Sequence, residues 1–405
     1  MLDAFDVMLL AMVLSSVISD LALTKAQAGL LGTATLLAAA AGGIGFGFFA
    51  DRFGRTRALM ASVLLYSVFT GMCGLAQNLW QFALCRVFLG IGMGGEWASG
   101  AALVSESWSA RDRGKALGLM QSAWAVGYGA AAVVTAVVLP RFGWRAVFFV
   151  GVLPALLVFW VQRHVEEPPL WTERRAKRTA AGAGRAPATA ATAVEATADA
   201  APATRFRDLF RGSLGRVTIA VTLMNACTLF GWWGLNTWVP AYLSLPTAQG
   251  GIGVSTRVMS GLVLLMQVGM WFGYVTFGYI GDAAGRKRTY ITYLLMASIL
   301  LPLYGAMKDP LVLLALGPFV AFFGTGYFSG FGAITAELYP TSIRATAQGF
   351  TYNLGRVASA AAPFIVGSLA ASRGFFAAFG VSGAAFLLAA VAWKWIPETK
   401  GRELA

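Results

Sequence analysis

The sequence predicts an all-α membrane protein: twelve transmembrane helices in two pseudo-symmetric six-helix bundles. Three observations carry this. Of its 405 residues, 58% are hydrophobic and 12% charged, against about 25% charged in a soluble domain, and the mean hydropathy is +0.67. Apolar runs of bilayer-crossing length follow one another from end to end. One pattern of charges also recurs at a fixed distance. This composition excludes a soluble enzyme, a coiled coil and a disordered chain. The net charge of +13 reads as the positive-inside bias of a multi-pass protein, not as a nucleic-acid surface.

A membrane-crossing helix needs about 20 mostly apolar residues. Charged or turn-rich breaks delimit runs at 2–19, 27–50, 58–77, 80–104, 114–139 and 145–163, then at 216–244, 257–281, 289–307, 311–336, 345–371 and 375–396. The domains are therefore 1–163 and 216–405, joined by 164–215, whose Ala/Thr-rich tract cannot bury a core and predicts a flexible linker. If the 51–57 loop is cytoplasmic, the loops on its side and the C-terminus carry 23 Lys and Arg, and the other side 6. That asymmetry places linker and both termini in the cytoplasm of a cell (inner or plasma) membrane.

The first run is short. Only Met1 to Asp6 precede the apolar stretch 7–19, too little for about 30 Å of hydrocarbon. The expectation is a first helix truncated at its N-terminal end, with Asp3 and Asp6 at membrane depth. Cys73, Cys85 and Cys227 form no CxxC pair, and His164 is the single histidine. Neither a disulfide framework nor a metal site is predicted, and no cofactor is called for.

Gly47, Asp51, Gly54, Arg55 and Arg57 recur as Gly278, Asp282, Gly285, Arg286 and Arg288, a shift of 231 residues. The same shift carries Glu106 to Glu337 and Arg113 to Arg344. Parallel repeats of this kind place a substrate site near the bilayer midplane between the halves. Several charges have no counterpart: Asp6 maps to Thr237, Arg86 to Gly317, Glu96 to Tyr327, and Arg356 maps back to Ala125. Charge in hydrocarbon is costly, so these unmatched groups are functional candidates.

GFFADRFGRTR (47–57), GYIGDAAGRKR (278–288), RVFLGIGMG (86–94) and VEEPPLW (165–171) resemble the signatures of the major facilitator superfamily. Within it, LDAFDVML (2–9), GMGGEWASGAALVSESW (92–108) and GWRAVFFVG (143–151) resemble the sialate:proton and metabolite:proton symporters. The resemblance implies the superfamily fold and proton-driven uptake of a small organic anion, typically a carboxylate, by a protein that is not an enzyme. It implies a monomer in the lipid bilayer, with the anion and a proton as its partners. Asn225-Ala-Cys-Thr228 begins a carboxylate-transporter pattern but continues with Leu229 in place of His, which departs from the lactate type.

Proton coupling is expected of Asp6, Glu96 and Asp3, with Arg86 tuning Asp6; the alternative is a permanent Asp6–Arg86 structural pair. Arg356, about 18 Å beyond Arg344 along its helix, suits a bidentate carboxylate clamp, with Tyr352 and Asn353 beside it. Cavity lining is expected of Gln121, Trp124 and Tyr128, of Gln267, Trp271 and Tyr274, and of Trp232, Trp233, Asn236 and Trp238; packing and interfacial anchoring are the alternatives for these rings. Asp51, Arg55, Glu106, Arg113, Asp282, Arg286, Glu337 and Arg344 are expected to gate, the Asp carboxylates facing helix N-termini of the opposite half when their side is closed; topogenic charge is the alternative. Export, a zwitterionic substrate and a transport-fold sensor are the competing functions.

Overall fold

The computed structural model describes residues 1–107, 113–165, 167, 209–340 and 343–400, so most of the expected linker lies outside the described residues. Those residues form helices and turns with no strand. The first half holds α1 (Leu2–Asp20), α2 (Lys25–Phe53), α3 (Arg55–Cys73), α4 (Leu79–Ser107), α5 (Arg113–Val150) and α6 (Ala155–His164). The second holds α7 (Gly212–Ser244), α8 (Thr256–Ala284), α9 (Arg286–Ala306), α10 (Pro310–Thr325), α11 (Phe328–Leu338), α12 (Arg344–Ser359), α13 (Ala362–Ser372) and α14 (Gly374–Ala392).

Ten stretches of described residues are long and apolar enough to cross a membrane. One of them, Leu119–His164, turns at Gly143 (φ 76°) and so provides two crossings, and α4 lies outside the ten. With these the chain makes the twelve spans that hydropathy predicts. Besides the sixth, which is interrupted by turns at 151–154, two spans of the second half are broken where a continuous run was expected. The tenth divides into α10 and α11, and the eleventh into α12 and α13. Pro363 stands in the first turn of α13, where it supplies no N–H to continue the ladder from α12.

The two ends of the bundle are distinguishable: the linker face, where α6 ends and α7 begins, and the far face, where α1 meets α2. In the first half α2 packs on α4. Gly90 and Gly94 permit the approach, because a Cβ on either would enter the Thr35 or Ala39 carbonyl. The halves meet along α2 against α13 and along α5 against α8. The 231-residue shift carries α2 onto α8 and α5 onto α12–α13, so these two seams are images of each other. Hydrogen bonds close the far face. Lys25 Nζ donates to the Gln249 and Ala370 carbonyls at 2.6 and 3.2 Å, and Ser244 Oγ to Ser15 Oγ at 2.8 Å.

At the linker face each half carries the same corner. The turn between α2 and α3 pivots on Gly54 (φ 120°), and that between α8 and α9 on Gly285 (φ 101°), conformations that favour glycine. A carboxylate then caps each following helix. Glu167 accepts from the N–H groups of Arg55, Thr56 and Arg57 at 2.7, 3.2 and 3.3 Å. Glu398 accepts from Arg286 at 3.0 Å and Lys287 at 3.2 Å. Both place negative charge on the positive end of a helix, and they too are 231 residues apart.

Partial burial would raise the Glu398 carboxyl, but backbone N–H groups of Lys400, Lys287, Thr399 and Arg286 outweigh it and hold its pKa below the ordinary glutamate value. A carboxyl held low when folded stabilises above its unfolded value and loses that contribution as pH falls through the lowered one. Hydrogen-exchange protection at Arg286 and Lys287, corrected for intrinsic rate, is therefore expected to hold near neutrality. It should fall below about pH 4, the unfolded glutamate range. Glu398→Gln should lose part of that protection already at neutral pH while the Arg55–Arg57 amides keep theirs. Equal protection in variant and parent would show that the carboxylate does not cap the helix.

Candidate functional site

Between the halves lies a cleft of about 510 Å³. The first half contributes Asp3 from α1, Met93 from α4, and Gln121 and Trp124 from α5. The second contributes Leu229, Trp232 and Trp233 from α7, Tyr274 from α8, Phe328 from α11, and Tyr352 and Arg356 from α12. Both broken spans therefore border it, in keeping with interrupted helices lining a cavity rather than facing lipid. Arg356 is 7% exposed and has no ion-pair partner among the described residues. The shift relates Gln121 to Tyr352, which both line the cleft, whereas Arg356 answers to Ala125. The two walls share a frame and differ in charge.

Three acids gather on the first-half side. Asp3 Oδ1 accepts from the Ala4 N–H at 2.7 Å and lies 3.3 Å from the Met1 amino group. Asp6 is fully buried, and neither of its oxygens has a hydrogen-bond partner among the described residues. It faces Thr70, whose hydroxyl donates instead to the Tyr66 carbonyl at 2.8 Å. Glu96 lies against Tyr66 and leaves Oε2 without a partner.

Arg86 corrects an expectation. It forms no ion pair with Asp6 within 4 Å; its Nε donates to Thr35 Oγ1 at 2.8 Å, and Nη1 has no partner. The permanent Asp6–Arg86 pair is thus not the geometry here. Arg86, Thr35, Trp233 and Thr237 border a second space of about 310 Å³ behind the first. The shift turns Thr35 and Arg86 into Met266 and Gly317. A Cβ on Gly317 would stand 2.9 Å from Met266 Cγ. The second half fills with a thioether chain the place that the first half fills with a guanidinium.

Six other expected site residues fall outside the first cleft. Tyr128 donates to the Asn236 carbonyl at 3.0 Å, and Asn236 Nδ2 to the Trp232 carbonyl at 2.9 Å, so this pair joins the halves. Gln267 is buried and turns its amide to the Val263 carbonyl at 3.3 Å. Trp271 is 39% exposed and packs edge-on against Phe272. The buried stripe of α8 runs through Met266, Gln267, Met270, Tyr274 and Phe277 and leaves Trp271 on its flank. Asn353 is exposed and donates to the Gly349 carbonyl at 2.9 Å. Trp238 packs within the second half, its Nε1 on the Pro363 carbonyl at 2.8 Å.

Of the gating set, Arg286 bridges Asp282 at 3.3 Å and Glu337 at 2.8 Å, all within the second half. The Asp282 side chain is 70% exposed. The helix N-terminus at this corner is taken by Glu398. Arg55 is buried. The side chains of Asp51, Glu106, Arg113 and Arg344 lie outside the described residues. Sequence reasoning missed Glu167 and Glu398, which the same 231-residue shift would have paired. It also missed Met93, Phe328, Thr35, Thr70 and Tyr66, which only helix packing brings to the site.

A cleft between two duplicated helical halves, sealed at one face and holding lone charges within the membrane, defines a multi-pass membrane transporter. The chain belongs to the Major Facilitator Superfamily, whose profile matches residues 1–246 and 242–405. It is 35% identical to a putative metabolite transport protein of Haemophilus influenzae, over 100% of this chain and 95% of that one. It is 32% identical to the cis,cis-muconate transport protein of Acinetobacter baylyi, over 96% and 90%. It is 31% identical to the sialic acid transporter NanX of Escherichia coli, over 90% and 83%. These place it in the sialate and metabolite branch. The crystal structure of a D-xylose-proton symporter shares the fold, with a TM-score of 0.76 at 21% identity over 100% of this chain and 97% of that one.

Thr35→Val removes the acceptor of the Arg86 Nε bond. It is expected to cost about 1–3 kcal/mol, the penalty of a buried donor left unsatisfied, read as a lowered midpoint of thermal unfolding in detergent. An unchanged midpoint would mean that Arg86 is satisfied elsewhere.

Proposed function

We propose that this transporter carries a small organic carboxylate together with a proton, entering from the far face and leaving at the linker face, with linker and termini cytoplasmic in the cell membrane. The observation that carries the reading is Arg356, a guanidinium in the wall of the cleft with no ion-pair partner among the described residues, across from a half that holds Asp3, Asp6 and Glu96. A guanidinium binds a carboxylate through two parallel hydrogen bonds. Asp6, whose oxygens have no hydrogen-bond partner among the described residues, can gain and lose a proton as its surroundings change. The 23-to-6 distribution of Lys and Arg supports the orientation. Two relatives support the substrate class, one a cis,cis-muconate transport protein and the other a sialic acid transporter.

In this reading Arg356 holds the carboxylate, Gln121, Trp124, Trp233 and Tyr352 line its site, and Asp6 takes the proton with Asp3 and Glu96 setting the local charge. Arg86, anchored on Thr35, adds positive potential behind them. The sealed far face and the exposed Asp282 fit a cleft that communicates with the linker face. Closure of that face would engage the corner acids, and the two states interconvert by rocking one half against the other.

Uptake of a panel of labelled carboxylates into proteoliposomes under an imposed pH gradient tests this. At least one acid is expected to accumulate above its equilibrium level, and only with the gradient inward. Arg356→Ala should weaken binding about tenfold or more, the loss of a charge-assisted pair worth roughly 1.5–3 kcal/mol. Asp6→Asn should keep exchange and lose uphill uptake. Accumulation independent of the gradient, or undiminished binding by Arg356→Ala, would overturn the proposal.

A further inference from the structure

Resting on the carboxylate reading of the cleft, we propose that the transporter has a second anion site: an outer station at Arg86, where a carboxylate halts between the far face and the cleft. The space of about 310 Å³ bordered by Arg86, Thr35, Thr237 and Trp233 lies outward of the cleft on each helix that borders both. On α1, which runs toward the far face, Asp3 lines the cleft, and Val7, Met8, Leu10 and Ala11 line the space. On α4, which comes from the far face, Arg86 precedes Met93 by seven residues, about 10 Å of helix. On α7, Thr237 stands one turn beyond Trp233. Further out again, Ser244 Oγ donates to Ser15 Oγ at 2.8 Å in the sealed far face. Trp233 borders both spaces and so forms part of the partition between them. Seal, Arg86, Trp233 and Arg356 follow one another along the path.

The chemistry of the outer space suits an anion. Arg86 is 2% exposed. Thr35 accepts its Nε–H at 2.8 Å and gives its own hydroxyl hydrogen to the Leu31 carbonyl at 2.8 Å. That pair of bonds fixes the guanidinium and leaves its terminal nitrogens to another acceptor. Among the described residues no carboxylate lies within 4 Å of Arg86, and Nη1 has no partner. A buried guanidinium with unpaired N–H groups is costly, and a carboxylate on its terminal nitrogens offsets that cost through charge-assisted hydrogen bonds. The helical frame does not require the charge, because the second half places Gly317 and Met266 at the equivalent positions. An ionised Asp6 would repel the anion, so the station fills once Asp6 carries the proton that the carboxylate reading gives it. Anion and proton are then loaded at the same stage, before the anion passes Trp233 to reach Arg356.

Thr237→Cys, in the full chain with Cys73, Cys85 and Cys227 replaced by alanine, puts a thiol in the wall of the outer space. In proteoliposomes it would be alkylated with iodoacetate and with iodoacetamide, which are alike in size and differ in charge, and the rates followed by mass spectrometry. Both reagents meet the same thiol, so any change in its ionisation cancels in their ratio. The iodoacetate-to-iodoacetamide ratio is expected to exceed that of the denatured chain about tenfold, the scale of one charge-assisted pair. Arg86→Met should return the ratio to the denatured value, while Arg86→Lys, which keeps the charge, should retain part of it. Should Arg86→Met fail to fold, protection of the thiol by acetate and not by acetamide, with Arg86 in place, decides. A ratio equal to that of the denatured chain, a ratio unmoved by Arg86→Met, equal protection by acetate and acetamide, or no alkylation by either reagent overturns the outer station. Each of these leaves carboxylate transport standing, which the binding loss in Arg356→Ala tests separately.

Discussion

A charged side chain inside a bilayer has no water to solvate it, and this constraint organises the whole molecule. Each half meets it by turning its charges inward, where protein atoms and a cleft replace solvent. Among the described residues the second half keeps Arg356 there. The first half keeps Arg86 and the acids Asp3, Asp6 and Glu96. Because the halves share one helical frame, the places where a charge stands on one side and Gly317 or Ala125 on the other mark where the two copies have diverged. Glycine and alanine there show that the frame itself does not need the charge.

The same constraint explains the helix interruptions. A broken span exposes carbonyl and N–H groups that hydrocarbon cannot satisfy, so breaks are tolerable only beside other protein or a polar cavity. The divisions between α10 and α11 and between α12 and α13 both border the cleft. Arg356 occupies the last turn of α12, close to the carbonyls that the break frees, an electrostatic setting favourable to a cation. The far face is sealed by polar contacts that depend on position more than on residue type. Lys25 reaches backbone carbonyls across the interface, and Tyr128 does the same at Asn236.

Much of this was legible in the sequence because bilayer thickness and charge cost act on short stretches of chain. Run lengths marked the spans, and one repeated spacing marked the halves. The unmatched charges marked the membrane-depth polar groups, and Arg356, Asp3, Gln121 and Trp124 all line the cleft. What was not legible depended on helix rotation and on contacts between distant segments. Trp271 lies four residues beyond Gln267, close to it on a helical wheel, yet Gln267 falls in the buried stripe of α8 and Trp271 on its exposed flank. Asn353 precedes Arg356 by one turn and still falls on the exposed side of α12. Thr35 as the Arg86 partner needed the α2–α4 approach, which glycine spacing suggests without naming the contact. Glu167 was quoted within a motif but not matched to Glu398, although arithmetic alone would have joined them.

The paired carboxylate caps have a mechanical consequence. Glu167 pins the chain leaving the first half to that half's own α2–α3 corner, and Glu398 does the same for the segment after α14. A pull on the chain at either carboxylate therefore meets the corner of its own half before it reaches the helices that line the cleft.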